Sequence, residues 1–317
     1  MTRRDSAAIP NFFIVGAPKC GTTTIASLLA DHPEVYVPPA KELKYFGQDV
    51  YPERQIKTLD EYLDNFAGVS EKLRGEASPW YLYSEEAANE ILELSPQAKI
   101  IIILRNPIEM VASNHGQNVL NRAEPILDLQ EALRAEPFRW KGQRMPRNIP
   151  KDSRYIHGFL YMHMAHYARH IRCYQAVFGR ESVHVIFLEE LARNQAGTFA
   201  EVCRFLGIGE VSAMPQRRLN TSRGVRSRAI TKMIIEPPRQ LVAAAKLVMP
   251  AHIRRSLLDR IWSANIKPGE REPMPGHLRL ELAERFADEV SELEKLLDVD
   301  LSKWLAGGGV SRAPRYP

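Results

Sequence analysis

The segment Gly16-Ala17-Pro18-Lys19-Cys20-Gly21-Thr22-Thr23-Thr24 gathers two glycines, one lysine and three hydroxyls into a short stretch. Between a strand and a helix, such a loop turns backbone N–H groups and the positive end of the helix toward an anion. The threonine hydroxyls add donors, and Lys19 supplies a full charge at a breaking phosphate bond. Gly16 and Gly21 keep the spacing of a Walker A phosphate loop, yet Thr22 stands where that loop carries its lysine. The apolar run Ile100–Leu104 ends in Arg105 rather than in an aspartate that would hold magnesium. The segment therefore reads as a phosphate loop that works without a metal. A plain glycine turn at a strand–helix junction is the other reading.

Arg105 is a second candidate anion ligand, and Ser113 follows it by eight residues. In a doubly wound sheet the carboxyl ends of strands face the ligand crevice. An arginine there and a serine two turns along the next helix can meet one anion. Alone, Arg105 reads equally well as a surface arginine. Beside the first loop it points to a ligand with phosphates at two ends.

These residues need particular elements to position them. Phe12-Phe13-Ile14-Val15 is continuously apolar, as is a strand buried on both faces of a parallel sheet. Thr22–Ala30 has helical spacing, with Ile25, Leu28 and Leu29 on one side. Lys99–Leu104 and Val183–Leu188 read as further buried strands, and Glu189–Leu206 as a helix ending before Gly207. Strands alternating with helices predict an α/β fold, a P-loop-like three-layer parallel sheet with helices on both faces. Arg134–Asp152, with Pro137, Gly142, Pro146 and Pro150 among many cations, predicts a long basic loop over a site (about 134–154). Tyr155–Phe178 and Leu278–Leu297 read as helices, Pro237-Pro238 as a helix breaker, and 307–317 as a disordered tail. The spacing as a whole predicts one domain over 1–317, with its core at about 10–305 and a helical insertion at about 230–265.

Hydrophobic residues make up 44% and charged residues 26% of the chain, ordinary values for a soluble globular protein. The net charge of +5 and pI of about 9.0 suit an anionic ligand. Cys20, Cys173 and Cys203 are too few and too scattered for a disulfide framework or a metal site, which favours the cytoplasm. No apolar run is long enough to span a membrane, and the apolar start at Asn11–Gly16 is too short for a signal peptide.

With these motifs in order, the chain resembles the sulfotransferases that use 3′-phosphoadenosine 5′-phosphosulfate, bacterial members and the heparan sulfate and carbohydrate enzymes in particular. Pro18–Thr24 resembles their 5′-phosphosulfate loop, and Arg105 with Ser113 their 3′-phosphate element. Lys41-Glu42-Leu43-Lys44-Tyr45-Phe46 is similar to their lysine–glutamate segment and Gly75-Glu76-Ala77-Ser78-Pro79 to another strand. Leu219–Arg228 looks like their C-terminal cofactor loop, and Leu293–Trp304 like a closing helix. The resemblance implies Glu42 as general base and Lys19 as the group that meets charge on the leaving phosphate. It implies donor contacts from Lys19, Cys20, Gly21, Thr22, Thr23, Thr24, Arg105, Ser113, Arg223, Gly224 and Arg226. The implied reaction is in-line sulfuryl transfer to a hydroxyl, less readily to an amine, of a carbohydrate, glycolipid or secondary metabolite, with no metal. Without the motif, Glu42 is simply a surface glutamate beside lysines. Two departures stand out. Ala77 replaces a lysine of the heparan-type enzymes, against a glycosaminoglycan acceptor, and Arg223 replaces a lysine, which keeps phosphate binding.

On the acceptor side, Arg139–Arg154 and the helix bearing Tyr155, His157, Tyr161, His163, His166 and His170 are expected to line or cover the cleft. Lys41 and Tyr161 are candidate substrate contacts, and His115 is a second candidate base. The histidines at 163, 166 and 170 have helical spacing but no accompanying carboxylates, so packing is expected rather than metal binding. Residues 230–262 are basic and apolar, expected as a packed helical insertion, with a lid or a peripheral membrane contact as alternatives. Two other classes remain. A nucleotide kinase with an altered loop would need magnesium and ATP. A polyanion-binding protein would rest on the pI and Arg139–Arg154, but no nucleic-acid-binding pattern is present. The sequence sets no oligomeric state.

Overall fold

The computed structural model describes residues 9–51, 56–146, 149, 156–209, 223–269 and 273–306. In chain order the elements are β1 (Phe12–Gly16), α1 (Thr22–Ala30), β2 (Val35–Tyr36), α2 (Leu59–Leu63), β3 (Leu73–Ala77), α3 (Ala87–Leu94), β4 (Lys99–Leu104) and α4 (Pro107–Leu120). They continue with α5 (Leu129–Arg139), α6 (Tyr161–Met164), α7 (Ala168–Phe178), β5 (Val183–Phe187), α8 (Leu188–Arg193) and α9 (Gln195–Leu206). The last are β6 (Arg223–Val225), α10 (Arg228–Ile235), α11 (Arg239–Val248), α12 (Ala251–Asn265), β7 (Ile266–Pro268), α13 (Gly276–Arg285), α14 (Ala287–Leu297) and α15 (Ser302–Leu305).

Five strands form one parallel sheet in the order β2-β3-β1-β4-β5, with helices around it, so the fold is α/β as the alternation of runs predicts. The two central strands are sealed on both faces: Phe12–Gly16 and Ile100–Leu104 are all buried. Burial of each such aliphatic or aromatic side chain contributes roughly 1.5–3 kcal/mol. Gly75 of β3 is required by close packing, since a Cβ there would lie 1.9 Å from the Phe12 ring.

The described residues group into two compact units. The sheet lies in the first, drawn from residues 1–110, 164–220 and 281–317. The second draws on 111–163 and 221–280, and holds most of α4 together with α5, α10–α12 and the β6–β7 antiparallel pair.

Several expected elements differ. Residues 134–139 are helix rather than basic loop. Asp128 caps the start of α5 by accepting from the Glu131 N–H at 2.9 Å, Ala132, Leu133 and Ala135 are buried, and the helix runs through Pro137. Residues 147, 148 and 150–154 of that expected loop, Tyr155 at the start of the expected helix, and the expected tail at 307–317 lie outside the described residues. The expected helix from Tyr155 is a single-turn 3-10 segment at His157–Phe159 followed by α6 and α7. Carboxylates distant in sequence cap the two helix starts: Glu136 accepts from the N–H groups of Met162 and His163, and Glu289 from that of Ala168. Glu189–Leu206 is broken at Asn194, whose side chain caps α9 by accepting from Gly197 N–H at 3.0 Å. The expected helix at 278–297 is two helices that meet at buried Phe286.

Residues 230–262 are not packed as an ordinary insertion. Among their described residues only Thr231 and Trp262 are buried, and most of the large apolar side chains point to solvent. The helical periodicity is as expected, but its apolar side faces outward.

Candidate functional site

The loop after β1 is pinned from two sides. The Ala17 N–H donates to the Ile103 carbonyl at 2.7 Å, and an Nη1–H of Arg105 donates to the Lys19 carbonyl at 3.2 Å. Both partners belong to the end of β4 or follow it directly, so the two anion motifs read from sequence interlock. Gly21 precedes α1 with φ 96°, a left-handed conformation that glycine takes without steric penalty. A Cβ there would also lie 2.8 Å from Leu188 Cδ1. Lys19 holds a positive φ of 65° as well, without glycine's freedom.

This end of α1 suits an anion. The first N–H groups of any helix lack intrahelical partners. Here no side chain caps them, and no acid stands in the first turn. Thr22 and Thr24 are buried, whereas Thr23 is partly exposed. The Cys20 side chain faces inward, where Sγ–H donates to the Pro18 carbonyl at 3.5 Å. Burial pushes its thiol up to about 12, against the opposing pull of Arg105. Cys20 is thus a neutral packing group in the loop.

Arg105 is the residue expected at a second anion position. Its Nε is buried and has no hydrogen-bond partner among the described residues. Glu189, at the start of α8, accepts from the Asn106 N–H at 2.9 Å. Burial raises its carboxyl, while that hydrogen bond and Arg105 oppose the rise. An uncapped helix start, a lysine and an orphaned guanidinium N–H fit a ligand bearing more than one phosphate or sulfate group.

Glu42 reaches the same place from another part of the chain. Lys41 Nζ donates to Thr23 Oγ1 at 2.5 Å and lies 3.5 Å from Glu42 Oε1. Lys44 Nζ lies 3.7 Å from Glu42 Oε2. The Glu42 side chain remains 31% exposed. At that exposure the ion pairs contribute only about 0–1 kcal/mol each, so they orient the carboxylate more than they stabilise the fold.

Sequence reading missed what holds Glu42 there. Glu42 and Lys44 both have positive φ, 62° and 54°. Ser78 Oγ accepts the Lys44 N–H at 3.2 Å, and the Tyr81 hydroxyl accepts the N–H groups of Tyr45 and Phe46 at 2.9 and 3.2 Å. Those hydroxyls donate in turn to buried Glu76, Ser78 at 2.6 Å and Tyr81 at 2.7 Å, and Tyr62 joins them at 2.5 Å. Burial raises the Glu76 carboxyl, and the three hydroxyls counter the rise. Gly75–Pro79 carried the only signal. Ala77 is buried in β3, with Ile14 of β1 as its register partner.

The remaining expected site residues lie in the second unit. Ser113 is buried on α4. His115 is buried, with Nε2 2.8 Å from the Ile126 carbonyl, and burial lowers its pKa, which leaves a neutral ring whose Nε2–H is already committed. Tyr161 is fully buried and donates to Glu124 Oε2 at 2.6 Å. Arg139, expected with the basic acceptor-side residues, is instead wholly buried in a two-pronged pair with Glu124, at 2.8 and 2.9 Å. Arg223 and Gly224 lie in β6, paired with Pro268 and Lys267, and the Arg226 N–H donates to the Asn265 carbonyl at 2.7 Å. Leu219–Ser222 of the expected cofactor loop lie outside the described residues. The histidines pack separately: His163 against Trp140, His166 in a 3.1 Å pair with Glu289, and His170 against Tyr83. Among the described residues no group of His, Cys, Asp and Glu is arranged to hold a metal ion, and no helix is long and apolar enough to cross a membrane.

Comparison with known proteins gives the same direction. A crystal structure of a sulfotransferase from Alicyclobacillus acidocaldarius superposes with TM-score 0.67 at 30% identity, covering 93% of this chain and 98% of that one. The bifunctional heparan sulfate N-deacetylase/N-sulfotransferase 1 of Caenorhabditis elegans is 25% identical over 266 residues, 81% of this chain and 28% of that protein. Carbohydrate sulfotransferase 15 of Mus musculus is 24% identical, covering 68% of this chain and 46% of that protein. The chain thus spans less than half the length of these curated relatives. The sulfotransferase domain model matches residues 10–231, which take in β1, the loop at Lys19, Glu42 and Arg105, and the chain belongs to the sulfotransferase family of transferases.

Proposed function

We propose that this protein transfers a sulfuryl group from 3′-phosphoadenosine 5′-phosphosulfate to a hydroxyl of a carbohydrate-type acceptor, with Glu42 as general base. The observation that carries the reading is the continuous line from Thr23 through Lys41 to Glu42, which sets a partly exposed carboxylate beside the anion loop. The donor supplies an activated sulfuryl group on a phosphate oxygen. Glu42 takes the acceptor proton as the new O–S bond forms, and Lys19 with the α1 start receives the charge left on phosphate as the old S–O bond breaks. Arg105, with its unpartnered Nε, holds the second phosphate of the donor. Charge stabilisation of this kind comes from fixed groups and asks for no metal. The names of the relatives, heparan sulfate and carbohydrate sulfotransferases, support a sugar acceptor. The three free cysteines support a cytoplasmic setting.

The test is Glu42→Gln, assayed for sulfuryl transfer and for binding of 3′-phosphoadenosine 5′-phosphate. Loss of a positioned base lowers turnover about 10²–10⁴-fold while nucleotide binding stays. Turnover within threefold or so of wild type would remove Glu42 from the chemistry.

A further inference from the structure

Helices α10, α11 and α12 each leave large apolar side chains exposed, in a stretch of sequence rich in cations. In α12, Trp262 and Asn265 are buried: the Arg122 guanidinium stacks on the Trp262 ring at 5.0 Å, and Asn265 Nδ2 donates to Thr231 Oγ1 at 2.9 Å. That seam fixes which side of the helix faces inward. Ile253, Leu257 and Ile261, spaced i, i+4 and i+8, are left exposed on another side, with Arg254 and Arg260 at its borders. α11 has Leu241, Leu247 and Val248 in solvent, the last two 88% and 80% exposed. α10 adds Ile230 and Met233, one turn apart. Isolated exposed apolar side chains are ordinary, but their recurrence on three successive helices points to a binding surface.

The charge around it identifies the occupant. From Arg226 to Pro268 nine lysines and arginines stand against two acids, Glu236 and Asp259, a larger excess than the +5 of the whole chain. Asp259 is itself paired with Arg122 at 2.9 Å. A second copy docked face to face would set this cationic surface against itself, because a twofold contact joins identical patches. A soluble polyanion would engage the cations and leave the isoleucines and leucines in water. An anionic bilayer meets both, with acyl chains for the apolar side chains and headgroups for the cations at the border. We propose that α10–α12 dock this protein on an anionic lipid surface.

The experiment is vesicle flotation of the full chain, without donor or acceptor, so that its failure is distinct from failure of the transferase reading. Phosphatidylcholine vesicles are compared with vesicles that also contain phosphatidylglycerol. The expected result is flotation with the anionic vesicles only, weakened by salt. Arg254→Gln/Arg260→Gln lowers partitioning about 30-fold, from roughly 1 kcal/mol per surface cation. Ile253→Gln/Leu257→Gln/Ile261→Gln abolishes it, with the urea midpoint and nucleotide binding unchanged. If the triple variant does not fold, the double variant decides alone. Equal flotation with both vesicle types, no flotation, full flotation of the double variant, or a concentration-dependent dimer that the apolar substitutions dissolve would each overturn the proposal.

Discussion

Removal of the Glu76 carboxyl tests how the sheet holds the Glu42 loop. Glu76→Leu leaves the hydroxyls of Tyr62, Ser78 and Tyr81 buried without their shared acceptor. Each lost partner costs about 1–3 kcal/mol, and some rotation toward other acceptors puts the sum near the low end, roughly 3–5 kcal/mol. That is a large share of the about 5–15 kcal/mol that folds a domain. Ser78 and Tyr81 also accept the N–H groups of residues 44–46, so turnover falls as well. Glu76→Gln keeps the shape and one acceptor oxygen, and costs about 1–2 kcal/mol. The two variants also differ from wild type in pH dependence. Burial raises the folded carboxyl above its ordinary 4.5, so the folded state keeps that proton to higher pH than the unfolded chain. The stability contributed by the proton is full below 4.5 and is lost as pH rises through the folded value; Glu76→Gln lacks that slope. Urea unfolding at several pH values, beside turnover, reads all of this. An unchanged urea midpoint in Glu76→Leu would refute the network, and lost turnover with full stability would make Glu76 a substrate contact instead.

Arg139→Met strands the buried Glu124 carboxylate and costs about 3–5 kcal/mol in urea unfolding, whereas Glu124→Gln/Arg139→Met recovers part of that loss. Equal losses in the single and double variants would contradict the pairing. Cysteine alkylation of the native protein modifies exposed Cys173, while Cys20, with its thiol pushed up to about 12, reacts only after denaturation. Early modification of Cys20, read by peptide mass, would mean that the loop opens.

Much of the fold was legible because its strands are unbroken apolar runs. Phe12–Val15 and Ile100–Leu104 can hardly be placed except between two helical layers, and Gly16, Gly21 and Arg105 follow at their ends. The loop at Lys19 and its contact with Arg105, which we propose hold the donor, were legible for the same reason: both lie on local sequence at strand ends. Glu42 was named only by a resemblance, since nothing local announces a positive φ at Glu42 and Lys44 or a lysine that reaches back 18 residues to Thr23. Pro137 suggested a loop, but the Asp128 cap and a buried apolar face outweigh it. The breaks before α6 and α7 are fixed by Glu136 and Glu289, carboxylates 26 and 121 residues away from the N–H groups they accept, which no window of sequence contains. Periodicity in α12 gives an amphipathic helix but not which side meets water. That choice is made by Trp262 and Asn265.

The central claim is that Lys19, the α1 start and Arg105 hold a bisphosphate nucleotide. Isothermal titration of the wild type and Arg105→Ala with 3′-phosphoadenosine 5′-phosphate in the absence of magnesium, beside ATP with magnesium, tests it most directly. The expected result is binding of the bisphosphate in preference to magnesium-ATP, weakened about 10–100-fold in Arg105→Ala, from roughly 1.5–3 kcal/mol for hydrogen bonds to a charged group. A preference for magnesium-ATP, or bisphosphate binding indifferent to Arg105, would contradict it.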